Sequence, residues 1–213
     1  PLTYFAGLLP ALTRACTAGR EEFWAVFDRS LRLTLLCSLP IAIGGTFLAQ
    51  PIVDLLYGPD YAQSVLILKI LAWSAAMVVF RATLRHGLLA VGRQDLALRA
   101  ALVAVSLNIL LNSLLISKYG MLGAAFTTVF SDLAWLTISI ADFGRVIARL
   151  NWISYLYHPL LASVAMALSF YLLKEQNWLL QAVASVSVYG IILVVTGEKE
   201  TRSWIQKRRM GVS

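Results

Sequence analysis

Asn108–Asp132 reads NILLNSLLISKYGMLGAAFTTVFSD, two apolar runs that meet at a short polar corner. It reads as the end of one membrane-spanning helix and the start of the next. The first run closes on Leu114, Leu115 and Ile116. Ser117, Lys118, Tyr119 and Gly120 make the corner, where a glycine can take the left-handed conformation that ends helices. Small residues then follow at Gly120, Gly123, Ala124 and Thr127. That spacing puts them on one stripe, against which another backbone can pack closely in lipid. Asn108 and Asn112, four residues apart, share a face of the first helix. One acid, Asp132, lies well inside the second.

Outward from this hairpin the chain keeps the same character. Of its 213 residues 59% are hydrophobic and 14% charged, with mean hydropathy +0.75. A soluble domain is nearer half apolar and a quarter charged. Six stretches have the roughly 20 apolar residues that cross a bilayer: Leu33–Val53, Tyr61–Ala90, Ala100–Ser117, Tyr119–Ala141, Ile153–Leu173 and Trp178–Gly197. None alternates apolar and polar residues as a barrel strand does. The fold class is all-α, a polytopic membrane protein with six complete spans. The opening PLTYFAGLLPAL adds a partial helix, too short to span, and reads as the end of an element whose N-terminal part is missing. The expected organisation is a transmembrane bundle over 1–145, a terminal helix pair over 146–197 and a basic tail over 198–213.

Charge supplies an orientation. Of the 18 Lys and Arg, all but Lys69, Lys118 and Lys174 fall in 1–32, 81–99, 142–152 and 198–213. Every second connector is therefore basic, and the basic side is expected to be cytoplasmic, the C-terminus included. The same rule accounts for the net charge of +7 without nucleic acid. Cys16 and Cys37 form no disulfide framework and no metal-ligand spacing.

Several connecting segments carry their own expectations. Thr13–Arg32 is a charged linker whose Phe23, Val26 and Phe27 recur at helical spacing, which reads either as a solvated connector or as an interfacial helix. Pro40 and Pro51 predict kinks in the first span. Tyr57–Tyr61 and Arg93-Gln94-Asp95 are turns, and Asp142, Arg145, Arg149 and Asn151 read as a basic connector.

Ionisable groups inside a bilayer cost a few kcal/mol and face a cavity or a partner. Arg81 and Arg85 share a helix face with Ser74, and Arg81 lies about 15 Å from the Arg93 turn at the helical rise. Lys69 lies about 12 Å from the opposite turn. Asp132, about 18 Å from the Gly120 corner, is placed to neutralise Arg81 or to bind a cation. Arg81, Arg85 and Lys69 are the candidate substrate-binding residues. Asp132, Asn108 and Asn112 are candidates for a polar cavity or a structural pair. The sequence has no nucleophile with a partnering base and no phosphate-binding GxxxxGK[ST] loop. An enzyme is not expected, nor are a metal or a cofactor, and any energy must come from a gradient or the membrane potential.

Two runs resemble the second lobe of polysaccharide-biosynthesis flippases. They are LPIAIGGTFLAQPIVDLLYGPDYAQSVLILKIL at Leu39–Leu71 and LLAVGRQDLALRAALVAVSLNILLNSLLISKYGMLGAAFTTVFSD at Leu88–Asp132. The matching marks are Pro40, LLYGPDY at Leu55–Tyr61, GRQ at Gly92–Gln94, Asn108, Asn112 and KYGMLGAA at Lys118–Ala125. The resemblance covers about residues 1–145 and implies the multidrug/oligosaccharidyl-lipid/polysaccharide exporter superfamily, with two six-helix lobes and alternating access. It implies a Wzx-like flippase of undecaprenyl-pyrophosphate-linked oligosaccharide in the bacterial inner membrane. The implied partners are membrane lipid, the lipid-linked oligosaccharide, the missing N-terminal lobe and polysaccharide polymerase machinery. Cavity cations in such proteins attract the pyrophosphate. Arg81 and Arg85 match that role by depth and face, with no fixed motif behind them. The alternatives are a drug or cation antiporter, a lipid II flippase, and a membrane scaffold that transports nothing.

Overall fold

A computed structural model describes the backbone at residues 2–146 and 152–209, and side chains at 5, 7–146 and 155–195. Arg149 and Asn151 of the expected basic connector, and the last four residues of the tail, lie outside the described residues. Two compact units divide at Leu150 and Asn151.

The first unit begins with α1, Leu2–Ala18, and α2, Arg20–Tyr57. Gly19, at φ 140°, separates them. α2 has 38 residues and runs unbroken through Pro40 and Pro51. At the helical rise it is about 57 Å long, well beyond the roughly 30 Å of a bilayer's hydrocarbon. Its first turns contain the segment that reads as solvated or interfacial. Phe23 and Phe27 are instead buried within the protein. The Phe27 ring stacks on Phe143 at 4.5 Å between centroids, and Trp24 meets the same ring edge-on. An aromatic partner within the fold accounts for that face better than lipid headgroups do.

α2 ends at Gly58, and a 3-10 turn over Pro59–Tyr61 leads into α3, Ala62–Ala90. α2 and α3 lie side by side, joined at their interior by the Thr34 and Thr83 hydroxyls, 2.6 Å apart. At the far end of α3, Arg93 N–H donates to Leu88 O at 2.9 Å and Gly92 N–H to Leu89 O at 3.1 Å. That pair of bonds is a Schellman motif, with Gly92 at φ 76° as its left-handed residue.

α4, Gln94–Val146, has 53 residues and contains the hairpin. Five helices among the described residues are long and apolar enough to cross a membrane, against six expected spans. The difference lies in α4, where helical hydrogen bonding carries through the corner and only Gly120 leaves helical geometry. Gly120 sits at φ 56° and ψ −132°. The positive φ suits glycine, but this ψ is far from the left-handed helical value of about +47°. The two arms fold back on each other. Arg99 pairs with Asp142 and Asn108 with Ser131, each pair straddling Gly120 almost symmetrically. The small-residue stripe is what lets the arms close. Gly123 lies against the backbone of Leu115, where a Cβ would fall 2.4 Å from the Leu115 carbonyl oxygen. Further along, Ala100 and Ala104 of the first arm pack on Trp135 of the second.

In the second unit α5, Trp152–Leu172, and α6, Trp178–Arg209, form an antiparallel pair. Asn177 Oδ1 accepts from Leu179 N–H at 3.0 Å, capping α6. Gln181 Nε2 donates to Phe170 O at 2.7 Å, and Ser185 Oγ donates to Ser169 Oγ at 3.2 Å. α6 continues as helix into the stretch that reads as a basic tail.

Candidate functional site: a cationic cleft between membrane helices

A cleft of about 640 Å³ opens between α3 and the two arms of α4. α3 lines it with Val78, Arg81 and Arg85 at spacings of three and four, one face of the helix. The first arm of α4 contributes an alanine floor and Asn108, and the second arm contributes Ser131, Asp132 and Trp135. Small floor residues give the long guanidinium side chains room between closely spaced helices.

Arg81 is held from two sides. Its Nη1 lies 2.8 Å from Asp132 Oδ1, and its guanidinium carbon lies 5.2 Å from the centroid of the Trp135 ring. Ser74 Oγ, two turns earlier on α3, donates to Asp132 Oδ2. Asp132 is 8% exposed at its side chain, and the carboxylate tolerates this because both oxygens are engaged. Arg81 keeps 28% of its side chain exposed. A guanidinium has five N–H donors in a planar fork, and the contact with Asp132 uses Nη1. Arg85, one turn on, is exposed, lines the same cleft, and has no ion pair among the described residues. The cleft thus holds two cations and one acid whose oxygens are taken.

The asparagines form a ladder along the hairpin. Asn112 Nδ2 donates to Asn108 Oδ1 at 2.9 Å, Asn108 Nδ2 to Ser131 Oγ at 3.2 Å, and Ser131 Oγ to Thr127 O at 2.8 Å. Asn108 reaches the cleft and Asn112 does not. Lys69 is half-buried and lies outside the cleft lining, so the structure does not bring it together with Arg81 and Arg85.

Asp142, read from the sequence as part of a basic connector, is enclosed in the hairpin. It is 2% exposed, pairs with Arg99 through Oδ1, and leaves Oδ2 enclosed without a hydrogen-bond partner among the described residues. A signal for this is in the sequence. Asp132, Trp135, Ser139 and Asp142 recur at three and four residues, one helix face, and all four are buried. Trp135, behind Arg81, belongs to the same stripe and also goes unremarked in a reading based on charge.

Comparison with known proteins agrees with this architecture. A family model described as the lipid II flippase MurJ matches residues 2–194. An uncharacterized membrane protein of Methanocaldococcus jannaschii is 31% identical over 97 residues, 46% of this chain and 19% of that protein. A probable low-salt glycan biosynthesis flippase, Agl15 of Haloferax volcanii, is 27% identical over 112 residues, 53% of this chain and 24% of that protein. The capsular polysaccharide biosynthesis protein CapF of Staphylococcus aureus is 28% identical over 97 residues, 46% of this chain and 24% of that protein. The chain spans about a fifth to a quarter of the curated relatives it matches. The match from residue 2 to residue 194 covers most of the chain, five helices among the described residues are apolar and long enough to cross a bilayer, and the chain belongs to the MurJ family of flippases.

Proposed function

We propose that the cleft receives the diphosphate of a lipid-linked glycan precursor, an undecaprenyl-pyrophosphate oligosaccharide of surface polysaccharide biosynthesis, during alternating access. The observation that carries this is Arg81, a partly open guanidinium in a cleft walled in part by apolar side chains, with Arg85 one turn away. A planar fork binds phosphate oxygens in a bidentate way, and reduced dielectric strengthens the attraction. The apolar walls suit the first part of a prenyl chain, whose remainder stays in the bilayer. The relatives' names in glycan and capsule biosynthesis favour an oligosaccharide cargo. The family description favours lipid II instead. Both cargoes present a prenyl diphosphate, the group the cleft addresses. A second lobe would supply the opposite wall.

The test is a combined substitution in the protein that carries this chain. Arg81→Ala with Arg85→Ala, made together with Asp132→Asn so that no buried acid is left without its cation, is expected to abolish glycan export in protein that still accumulates in the membrane. Normal export by this variant, well expressed, would eliminate the diphosphate site.

The proposed setting is the bacterial inner membrane, with the basic connectors and the C-terminus in the cytoplasm. The support is the charge asymmetry, with Lys69, Lys118 and Lys174 the only cations off the basic side. Reporter fusions at Asp60, Lys118 and Lys174 should read outside, and fusions at Arg93 and Arg149 inside. A cytoplasmic signal at Lys118 would reverse the orientation.

A further inference from the structure

We propose that the cargo's prenyl chain leaves the cleft sideways, between α3 and the first arm of α4 at Val78 and Val105, while its glycan lies toward Gln94. This rests on the reading of the cleft as a diphosphate site and assigns the two ends of the cargo to different parts of it.

The sides of the cleft differ. Its lining from the second arm of α4, Ser131, Asp132 and Trp135, is buried. The lining from the other two helices reaches the outside. Val78 of α3 is 40% exposed, and Leu98 and Val105 of the first arm are 60% and 55% exposed. Between these edges the walls are small, with Ala82 on α3 and Ala101 on the first arm. The result is a slot with aliphatic rims. Leu98, Leu102, Val105 and Ile109 recur at four and three residues, one helix face, and all four are exposed. That stripe leads from the cleft onto the outer surface of the first arm. α3 and α4 are long and apolar enough to cross a bilayer, so a slot between them opens on hydrocarbon.

Polarity is graded along the cleft. The Gly92 turn joins α3 to α4, so depth is counted from the same end on both helices. Gln94 lines the mouth and is exposed. At the helical rise Arg85, Arg81 and Val78 lie about 8, 14 and 18 Å from the end of α3, and Val105 lies about 16 Å from Gln94. A polar mouth, two guanidinium groups and an aliphatic opening follow one another inward. Deeper still, Asn108 donates to Ser131, so the polar groups at that end are turned on each other.

A lipid in a leaflet has the same order, with its head group outermost, its phosphates next and its chain toward the midplane. A glycan-bearing prenyl diphosphate in the leaflet on the Gly92 side therefore fits without turning over. With the diphosphate at Arg81 and Arg85, the chain meets the slot between Val78 and Val105 and the sugar lies toward Gln94. The reverse placement would set hydroxyl groups against aliphatic rims and the chain against water, and both are unfavourable.

The experiment uses the protein that carries this chain in lipid nanodiscs. The probe is farnesyl diphosphate bearing one hexose, radiolabelled in either the prenyl or the sugar half. A benzophenone side chain is introduced at Val105 in one protein and at Gln94 in another, both exposed positions. After irradiation, hydrolysis of the diphosphate separates the halves, and the label left on the protein shows which half lay there. Val105 is expected to keep the prenyl label and Gln94 the sugar label. No prenyl label at Val105, or as much of it at Gln94, would overturn the route and leave the diphosphate site standing. Equilibrium dialysis of the probe reads that site separately. Binding should be lost in Arg81→Ala made with Asp132→Asn, and binding that does not need Arg81 would overturn both readings.

Discussion

Arg81→Ala is expected to abolish glycan export and to lower thermal stability together, and a second change, Asp132→Asn, to restore the stability alone. The two effects have different origins. Removing Arg81 strips a buried carboxylate of its cation and leaves only the Ser74 hydrogen bond. Removing one partner of a buried pair costs about 3–5 kcal/mol. With 28% of the Arg81 side chain exposed, the lower end, about 3 kcal/mol, is expected. The neutral amide of asparagine needs no cation, so the double variant should unfold near the temperature of the unaltered protein. The cleft would still lack its guanidinium, and export should stay absent. Arg81→Lys is expected to keep part of the activity, since the charge remains and the planar fork does not. Thermal unfolding of purified protein and a cellular export assay read the two quantities separately. Export that returns with stability in the double variant would make Arg81 a structural residue.

Gly123→Ala and Gly120→Ala are both expected to destabilise the hairpin, the first by a clash between the arms and the second by backbone strain. Alanine in place of glycine normally favours a helix by about 1 kcal/mol. At Gly123 the new methyl would fall 2.4 Å from the Leu115 carbonyl oxygen and 2.6 Å from its carbon. Those are backbone atoms of the opposite arm, and no rotamer relieves the clash. Overpacking costs about 1–3 kcal/mol and here has to outweigh the propensity gain, because the arms cannot separate without disturbing Asn108 on Ser131. At Gly120 nothing lies within 4 Å of an added Cβ, and the penalty is backbone strain instead, since φ 56° with ψ −132° costs an L residue about 1–3 kcal/mol whatever the space. Unfolding temperatures of the two variants in one detergent test both. A Gly123→Ala protein as stable as its parent would mean that the arms do not pack this closely.

Much of the helical architecture is legible because lipid removes alternatives. Every backbone polar group must be satisfied within its own segment, so long apolar runs become helices. The Gly120 corner and the Gly92 turn follow from glycines placed between such runs. The facing of side chains is less legible. Rise per residue gives the depth of Lys69 but not that it misses the cleft, which depends on which face of α3 meets α4. Phe23 and Phe27 show helical spacing, and spacing alone does not distinguish a headgroup layer from the ring of Phe143. Asp142 is hidden by its neighbours, since Arg145 and Arg149 make the segment read as a basic connector. Its period with Asp132, Trp135 and Ser139 is the better guide, because burial follows helix face rather than local charge.

The polar contacts also set an order of assembly. Asn108 finds Ser131, and Asp142 finds Arg99, within the same helical hairpin. Those bonds can form as soon as the hairpin enters the bilayer, with no help from the rest of the chain. Arg81 differs, because its partner is made 51 residues later. At about 5–20 residues per second, that is a wait of roughly 3–10 s during synthesis. Until then the guanidinium has to stay near water at the membrane surface. Arrival of Asp132 gives α3 a reason to settle to its final depth, and the ion pair becomes the latch that fastens a finished hairpin to the helix before it.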